Sequence, residues 1–335
     1  MNKEKQKIAV LGAGSWGTAL ACLLADNGHV VTLWSHSEKH LVAMEKTKEN
    51  ARFLPGITLP HNLQFQNSLQ TLCTTHQQFL IVVPSRAFEE ILNALVEAEI
   101  QDHSLIMWGT KGFDSKNKQL LSSLIEQTIT TPHTKGIITG PSFALEVMNK
   151  LPTALTAGAN DILVSQEIAQ LFHNSYVRVY ANTDLAGVQI GGAVKNVLAI
   201  ACGISDGLGF GANARSALIT RGLKEICRLG EKFAAKNETF QGLSGLGDLV
   251  LTCTDDKSRN RRFGLGLGQG KTIDNILSEI GQEVEGLVTC QEVIQIAEIH
   301  QVEMPICREV YNIIYQNASP KLAVKTLFER NINDE

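Results

Sequence analysis

The chain has 335 residues, of which 44% are hydrophobic and 19% charged, and its formal net charge is −4. This length suits two domains, and the composition is typical of a soluble globular enzyme. The charge gives no general attraction to nucleic acid or anionic membranes, although a local cationic pocket for an anionic ligand is compatible with it.

The first half of the chain predicts a Rossmann-type α/β domain. KIAVLGAG is a predicted strand that enters a glycine turn, TALACLLADNG is a helix that ends at Gly28, and HVVTLWS is the second strand. Further predicted strands are FLIVVPS, SLIMWGTKG, GIITGPS and TALTAGA, and the helix RAFEEILNALVEA follows the first of these. This alternation predicts a mostly parallel sheet with helices on both faces.

After about Tyr180 the apolar residues fall at helical spacing, which predicts an all-helical C-terminal domain. The clearest stripes are Ile273, Ile276, Leu277 and Ile280, then Ile306, Val310, Ile313 and Ile314. Ser319-Pro320 predicts the cap and first turn of a last helix, with Leu322, Ala323 and Leu327 facing inward. We expect a dinucleotide-binding domain over 1–182 and a helical substrate and catalytic domain over 183–335.

Gly12 to Gly17 carry the pattern G-x-G-x-x-G between the first predicted strand and the first predicted helix. In this context Gly12 permits the tight turn, Gly14 lets the backbone approach a pyrophosphate, and Gly17 lets the helix pack on the sheet. The helix N-terminus then faces the phosphates. The pattern predicts a bound dinucleotide.

The end of the second strand bears on the choice between NADH and NADPH. NAD enzymes usually have Asp or Glu there for the ribose hydroxyls, but this chain has Ser35 and His36, with its first carboxylate at Glu38. Ser35, His36 and the nearby Lys39 can meet a 2′-phosphate, so NADP is favoured or at least accepted. The alternative is that Glu38 or a backbone group contacts the ribose.

A second glycine-rich stretch, from Gly264 to Thr272, imitates a phosphate-binding loop. A Walker A motif needs glycine five places before Gly270, where this chain has Leu265, and the preceding DDKSRNRRF is no buried strand. The sequence favours a flexible glycine loop at this point.

Lys195 is the most unusual charged residue in the sequence. It lies in GGAVKNVLAIACGISDG, where small and apolar residues cover every side of the predicted helix. A buried ammonium is costly unless it is compensated. Either the side chain extends to water, or the protein uses an amine of altered basicity inside a site.

Other polar groups follow predicted strands or interrupt apolar stretches, and together they predict a hydride-transfer site. Lys111 and Gly140-Pro141-Ser142 lie at the carboxyl edge of the sheet, where α/β proteins bind ligands. Asp248 would orient the Lys195 amine, whose pKa is lowered by desolvation and neighbouring cations. Arg259 and Asn260, in a cluster that begins at Ser258, could hold a phosphate or carboxylate of the substrate.

The sequence resembles the NAD(P)-dependent glycerol-3-phosphate dehydrogenases of bacterial type over nearly its whole length. The matching stretches are GAGSWGTALA, VPS, GTKGF, GPSFALE, GGAVKNVLAIACGISDGLGFGANARSALITRGL, GLSGLGDLVLTC, SRNRRFG, GQEVEG and SPKLAVKTLFER. The resemblance implies reversible reduction of dihydroxyacetone phosphate to sn-glycerol 3-phosphate, with NADPH or NADH, for phospholipid synthesis in the cytoplasm.

The resemblance also implies roles for individual residues. Lys195 is expected to accept the proton in oxidation and donate it in reduction, with Lys111 and Asp248 as its catalytic partners. The implied substrate-binding positions are Lys111, Gly140, Ser142, Lys195, Asp248, Ser258, Arg259 and Asn260. The implied cofactor contacts, beside Gly12, Gly14 and Gly17 of the glycine turn, are Ser15, Trp16, His36, Lys111, Ala144, Arg259 and Glu285, with Phe53 as a further match.

Two other functions fit parts of the pattern. A β-hydroxyacid or 6-phosphogluconate-type dehydrogenase shares a Rossmann domain, a helical domain and a lysine followed by asparagine; SRNRR and GLGDL favour glycerol phosphate instead. A nicotinamide sensor would bind the cofactor without consuming it. The apolar surface of the helical domain suggests a homodimer.

The remaining expectations concern location and metals. The N-terminus shows no secretory signal, and the apolar runs are shorter than a membrane span. Seven scattered cysteines without a C-x-x-C pair predict free, buried thiols in a reducing cytosol. The histidines lack zinc spacing, so we expect no metal site.

Overall fold

The protein, described here by a computed structural model over residues 5–328, is built on one large sheet. The strands are β1 (Lys7–Leu11), β2 (Val30–Trp34), β3 (Glu49–Asn50), β4 (Leu54–Thr58), β5 (Gln64–Gln66), β6 (Gln78–Ile81), β7 (Ser104–Trp108), β8 (His133–Thr139), β9 (Thr153–Gly158) and β10 (Val177–Asn182). Eight of them form the sheet in the order β10-β9-β8-β7-β6-β1-β2-β5, while β3 and β4 form a separate hairpin. Neighbouring strands are parallel apart from the antiparallel pair β8 and β9. The predicted mostly parallel sheet is confirmed.

Helices cover both faces of the sheet. They are α1 (Ser15–Asp26), α2 (Glu38–Thr47), α3 (Leu69–Thr75), α4 (Phe88–Glu97), α5 (Leu121–Thr128), α6 (Ala144–Met148) and α7 (Ile162–Phe172). In the central strand β1, Ile8 and Val10 face the core shared with α1, α2, α6 and α7. Ala9 and Leu11 face the opposite core, shared with α3, α4 and α5. This alternation follows from the two-residue period of a strand and explains why β1 is apolar throughout.

The second half of the chain is helical, as predicted. Its helices are α8 (Leu185–Gly207), α9 (Gly211–Glu231), α10 (Asn237–Gln241), α11 (Asp248–Thr254), α12 (Arg259–Gly268), α13 (Ile273–Ile280), α14 (Glu285–Ile299), α15 (Pro305–Tyr315) and α16 (Pro320–Phe328). Central α8 has 20 buried residues among its 23. By length and composition it could cross a membrane, contrary to the expectation of shorter apolar runs, yet 94% of its most apolar window is buried within the protein.

The predicted stripes of α13 and α15 face the helical core, which contains Ile276, Ile306 and Val310. The last helix begins at Pro320, and Ala323 is buried beside the partly buried Leu327. The inward placement of Leu322 was wrong, because this side chain is 56% exposed. Ala323 and Leu327 are four residues apart and share a helix face, whereas Leu322 lies one position away from that face.

The predicted glycine loop was wrong for Gly264 to Gly268, which belong to α12, whereas residues 269–272 lie outside the helix. Gly264 and Gly268 lie where α12 packs directly on α8, and Gly266 faces Ile276 of α13. A Cβ on Gly264 would come within 2.1 Å of the Ile200 carbonyl oxygen, and a Cβ on Gly203 of α8 would come equally close to the Arg261 carbonyl oxygen. Glycine at these positions lets the two backbones touch, so here it indicates close helix packing rather than flexibility.

Candidate active site

A cavity of about 330 Å³ lies between the carboxyl edge of the sheet and the helical half of the chain. Ten of the predicted site residues line this cavity: Ser15, Trp16, Lys111, Ser142, Ala144, Lys195, Ser258, Arg259, Asn260 and Glu285. Six others are not lining residues: Gly12, Gly14, Gly17, His36, Gly140 and Asp248. Residues from both halves of the chain therefore build one site.

The glycine turn at the start of α1 has the shape that a dinucleotide needs. A Cβ on Gly12, at φ 126°, would meet the Val82 carbonyl oxygen at 2.4 Å, and a Cβ on Gly17 would meet the Gly12 carbonyl oxygen at 1.9 Å. Gly14 faces open space and gives α1 no side-chain cap. The first N–H groups of α1 consequently have no partner within the helix and can receive a pyrophosphate.

The end of β2 lies beside the glycine turn, because the Gly12 N–H donates to the Trp34 carbonyl at 3.0 Å. Ser35 is buried and its hydroxyl accepts a hydrogen bond from the Ser37 N–H. His36 and Glu38 are exposed just beyond. His36 and Glu38, which stand for the two predicted modes of ribose contact, are thus both accessible near the glycine turn.

Phe53 enters the cavity wall from the turn between β3 and β4. Its backbone carbonyl accepts a hydrogen bond of 3.1 Å from the Ser15 hydroxyl, and the Arg52 guanidinium lies 4.9 Å from its ring centre. This small hairpin, which the sequence analysis missed, therefore places an aromatic ring beside the glycine turn.

Lys195 is only 6% exposed, so its side chain does not extend to water. Its Nζ donates to Asp248 Oδ1 at 2.5 Å and to the Thr252 hydroxyl at 2.7 Å. Thr252 in turn donates to the Asp248 carbonyl at 2.6 Å, one helical turn earlier in α11. The amine is held in one orientation at the cavity wall.

The second carboxylate oxygen of Asp248 binds Lys111, which follows β7, with a distance of 2.7 Å to Nζ. Asp248 is 1% exposed, and one buried carboxylate is therefore shared by two cations from different halves of the chain. We call Lys111, Lys195 and Asp248 the lysine–aspartate cluster. Both lysines line the cavity and Asp248 lies behind them.

Sharing one carboxylate separates the two lysines in pKa. Burial lowers the pKa of Lys195 and the Lys111 cation adds to this, so that despite Asp248 the value is about 8. Burial opposes the charge of Lys111 as well, but Asp248 and then Glu285 outweigh it and raise the pKa of Lys111. Lys111 is thus a permanent cation, while Lys195 can exchange a proton near neutral pH.

Ser258, Arg259 and Asn260, which we call the anion clamp, lie at the start of α12. The Ser258 hydroxyl caps the helix by accepting from the Arg261 N–H at 3.2 Å. Asn260 Oδ1 accepts from the Gly286 N–H at 2.9 Å, and Arg259 donates to Gln282 at 3.4 Å. A helix N-terminus beside a guanidinium is suited to a phosphate or carboxylate.

Gly140 and Ser142 lie between β8 and α6, and Ala144 is the first residue of α6. Gly140 has φ 129° and packs against β9, where a Cβ would come within 3.2 Å of the Ala154 carbonyl oxygen. The Ser142 hydroxyl donates to the Gly140 carbonyl at 3.0 Å, which orders the turn. Gly140 therefore shapes the loop that carries the two cavity-lining residues.

Sequence reasoning missed two buried polar residues of the site. Thr252 lies four residues after Asp248, a helical spacing that could have indicated it. Asn196 accepts from Asn260 at 2.9 Å and donates to Glu285 Oε2 at 3.4 Å. No sequence signal joins Asn196, Asn260 and Glu285, because they come from three different helices.

Comparison with known proteins gives full-length matches. Family models for the N-terminus and the C-terminus of NAD-dependent glycerol-3-phosphate dehydrogenase match residues 7–164 and 184–325. The glycerol-3-phosphate dehydrogenase (NAD(P)+) of Haemophilus ducreyi is 47% identical over 333 residues, 99% of each chain. That of Colwellia psychrerythraea is 46% identical over 326 residues, 97% of each chain. The crystal structure of glycerol-3-phosphate dehydrogenase from Coxiella burnetii aligns with TM-score 0.94 and 45% identity, over 97% of this chain and 99% of that one.

Replacement of Asp248 tests the energetics of the lysine–aspartate cluster. Asp248→Asn removes the carboxylate that the buried Lys195 and the partly buried Lys111 share, so we expect the free energy of unfolding to fall by about 3–5 kcal/mol at pH 7. In the folded variant the pKa of Lys195 then drops further below that of an unfolded lysine. The unfolded variant therefore binds more protons than the folded one, so raising the pH stabilises the folded variant. The difference in stability between wild type and variant should shrink toward pH 10.

Urea unfolding at the two pH values measures this difference. The control is Asp255→Asn, which removes a partly exposed carboxylate 3.9 Å from Lys257, with an expected change below about 1 kcal/mol. Equal losses in both variants, or a loss that grows with pH, would contradict the assignment.

Proposed function

The chain belongs to the NAD-dependent glycerol-3-phosphate dehydrogenase family, and we propose that it reduces dihydroxyacetone phosphate reversibly to sn-glycerol 3-phosphate with NADPH or NADH, so supplying glycerophospholipid synthesis. The observation that carries this proposal is the Lys195 amine at the cavity wall, 2.5 Å from Asp248 and with a pKa of about 8. A carbonyl reduction needs a proton donor that works near neutral pH.

Lys195 is the proton donor of the proposed reduction. Its Nζ gives a proton to the carbonyl oxygen at C2 of the substrate, and in oxidation it takes the proton back from the hydroxyl group. When bound, the reduced nicotinamide supplies the hydride to that carbon. Asp248 and Thr252 orient the amine, while the permanent charge of Lys111 stabilises the developing negative charge on oxygen.

The anion clamp holds the substrate phosphate in this proposal. Ser258 and Asn260 are buried and polar, and Arg259 supplies the charge. Binding energy from the unreactive phosphate then orients the reacting ketone. Lys111, Gly140, Ser142, Lys195 and Asp248 complete the proposed substrate site.

The glycine turn is the proposed binding site of the pyrophosphate, because the N-terminus of α1 faces open space at Gly14. The remaining proposed cofactor contacts are Ser15, Trp16, His36, Lys111, Ala144, Arg259 and Glu285. The relatives are named for NAD(P)+, which agrees with a β2 end that offers His36 and Lys39 beside Glu38.

We also propose the division into residues 1–182 and 183–335, and a cytoplasmic location. The N-terminal family match ends at residue 164 and the C-terminal match begins at residue 184. Between them, β10 ends at Asn182, and α8 begins at Leu185. All seven cysteines are free, and only Cys227 is not fully buried, which agrees with a reducing compartment.

Lys195→Met tests the central role of the amine. Methionine keeps the length and apolar stem of the side chain but cannot transfer a proton, so we expect kcat to fall by about 10²–10⁴-fold. Binding of NADPH should be unchanged. Oxidation of NADPH and of NADH is followed by absorbance, with dihydroxyacetone phosphate as the substrate.

Lys232→Met, on an exposed lysine at the end of α9, is the matched control and should keep full activity. A folded Lys195→Met enzyme with wild-type turnover would refute the proton-transfer role. If the wild type consumes no reduced nicotinamide with this substrate, the alternative of a non-catalytic sensor gains support.

The pH dependence follows from the lowered pKa of Lys195. Reduction needs the ammonium form, so kcat/KM for dihydroxyacetone phosphate should fall as the pH rises through about 8. Oxidation of glycerol 3-phosphate needs the neutral amine and should rise over the same range. Initial rates in both directions from pH 6 to 10 test this, and parallel profiles would contradict it.

A homodimer through the start of α9 is the last part of the proposal. Within this described helix, none of the first eleven residues is buried, and Phe210 just before it is 45% exposed. A neighbouring cavity of about 360 Å³, between α9, α15 and α16, carries both Arg221 and Glu309. A second copy related by two-fold symmetry fits such a surface, because a self-contacting patch needs apolar groups and both signs of charge.

Leu218→Asp, in the partly buried stretch of α9, should convert the dimer to a monomer of 36.5 kDa in light-scattering measurements. Leu163→Asp, at a 70% exposed position on α7, is the control and should leave the mass unchanged. A wild-type protein with the single-chain mass at micromolar concentration would refute the dimer.

A further inference from the structure

The segment that carries Lys111 leaves the sheet and is anchored in the helical half of the protein. Lys111 follows β7, and two residues later the Phe113 side chain is 0% exposed within the hydrophobic core of the helical half. Leu120, at the end of the same segment, belongs to that core as well. The position of Lys111 therefore depends on contacts outside the sheet from which it emerges.

Glu292 on α14 provides the polar part of this anchor. Its carboxylate is 1% exposed, with Oε2 accepting a hydrogen bond from the Phe113 N–H at 3.2 Å and Oε1 accepting one from the Ser115 hydroxyl. Burial raises the pKa of Glu292, and the Asp114 carboxylate acts in the same direction. The two hydrogen bonds and the Lys118 cation lower it, but burial outweighs them. A buried carboxylate that binds two groups of one loop fixes that loop strongly.

The chain between Lys111 and this anchor is short and closely packed. Gly112 has φ 139°, and a Cβ there would come within 2.8 Å of the Ser85 Cβ and 3.5 Å of Glu292 Oε2. Since consecutive Cα atoms are only about 3.8 Å apart, a shift at Phe113 moves Lys111 as well. A displacement of about 1 Å is enough to break the 2.7 Å contact between Lys111 and Asp248.

The helix that carries Glu292 also contributes to the cavity. Glu285, in the first turn of α14, lines the cavity and raises the pKa of Lys111. Glu285 and Glu292 are seven residues apart, which places them on the same side of α14. One rigid helix therefore presents a carboxylate to the site and another to the loop beneath it.

We propose that Glu292 is a positioning residue, which acts through Phe113 and Ser115 to hold the Lys111 ammonium against Asp248. This inference rests on the proposed reductase function. Glu292 touches neither the cavity nor the reacting atoms. Its effect on the reaction passes through Lys111 to the shared carboxylate and so to the Lys195 amine.

Glu292→Ala should lower kcat by about 10- to 100-fold through displacement of Lys111. It should also change the pH profile in a way that simple destabilisation would not. With Lys111 displaced, Lys195 keeps Asp248 for itself and loses a neighbouring cation, so its pKa rises. The pH at which kcat/KM for reduction falls should therefore move upward.

Comparison with Lys111→Met shows whether the effect passes through Lys111. That variant should show the same upward shift, and adding Glu292→Ala to it should change the profile no further. Ser115→Ala removes one of the two hydrogen bonds and should give a smaller shift, while Glu292→Gln, which can still contact both groups, should move the profile back toward the wild type. Glu298→Ala, at an exposed position on α14, is the control and should leave the profile unchanged.

The outcomes separate the two proposals. If Lys111→Met shifts the profile but Glu292→Ala and Ser115→Ala do not, or if their effects add to that of Lys111→Met, the positioning role is refuted and the reductase function stands. If Glu292→Ala does not fold, Ser115→Ala and Glu292→Gln decide the question by the same measurement. If the wild type fails to reduce dihydroxyacetone phosphate, the proposed function itself is refuted.

Discussion

The site depends on a single buried carboxylate that two cations share. Asp248 is 1% exposed and binds Lys111 and Lys195, which come from different halves of the chain. Two ammonium groups this close would repel each other without it, and one carboxylate cannot neutralise both. Burial, with the Lys111 cation adding to it, lowers the pKa of Lys195 to about 8 despite Asp248, whereas Asp248 and Glu285 outweigh burial and raise the pKa of Lys111. A buried lysine with a pKa lowered in this way is suited to the proton-donor role that we propose for Lys195.

The packing of α12 on α8 places this donor near the anion clamp. Gly203 and Gly264 allow the backbones to approach more closely than any side chain would permit. That contact brings Asn196, next to the lysine, within hydrogen-bonding distance of Asn260 in the clamp. Helix packing thus sets the separation between Lys195, the proposed proton donor, and the anion clamp, the proposed phosphate site.

Much of the fold was predictable because local patterns carry it. The G-x-G-x-x-G turn, the alternating residues of β1 and the apolar stripes of α13 and α15 follow from short-range periodicity. The wrong predictions concern segments whose structure is set by contacts between elements that are distant in the sequence. Gly264 and Gly268 of α12 are typical of a loop by composition but are required by contact with α8. The strands β3, β4 and β5 are too short to show a distinctive sequence pattern. The antiparallel pairing of β9 with β8 leaves no such pattern either.

The sequence alone was enough to predict the βαβ dinucleotide unit, the helical second half, the apolar helix around Lys195 and the resemblance to a dehydrogenase family. Contacts between separate elements were needed to show that Asp248 binds two lysines, that Thr252 and Asn196 join the site, and that Glu292 reaches the Lys111 loop at Phe113, 179 positions away in the chain. The physical reason is that a residue's type and spacing express its local propensity and burial. Hydrogen bonds and charge coupling depend instead on distances of about 3 Å, which arise only when separate elements pack together.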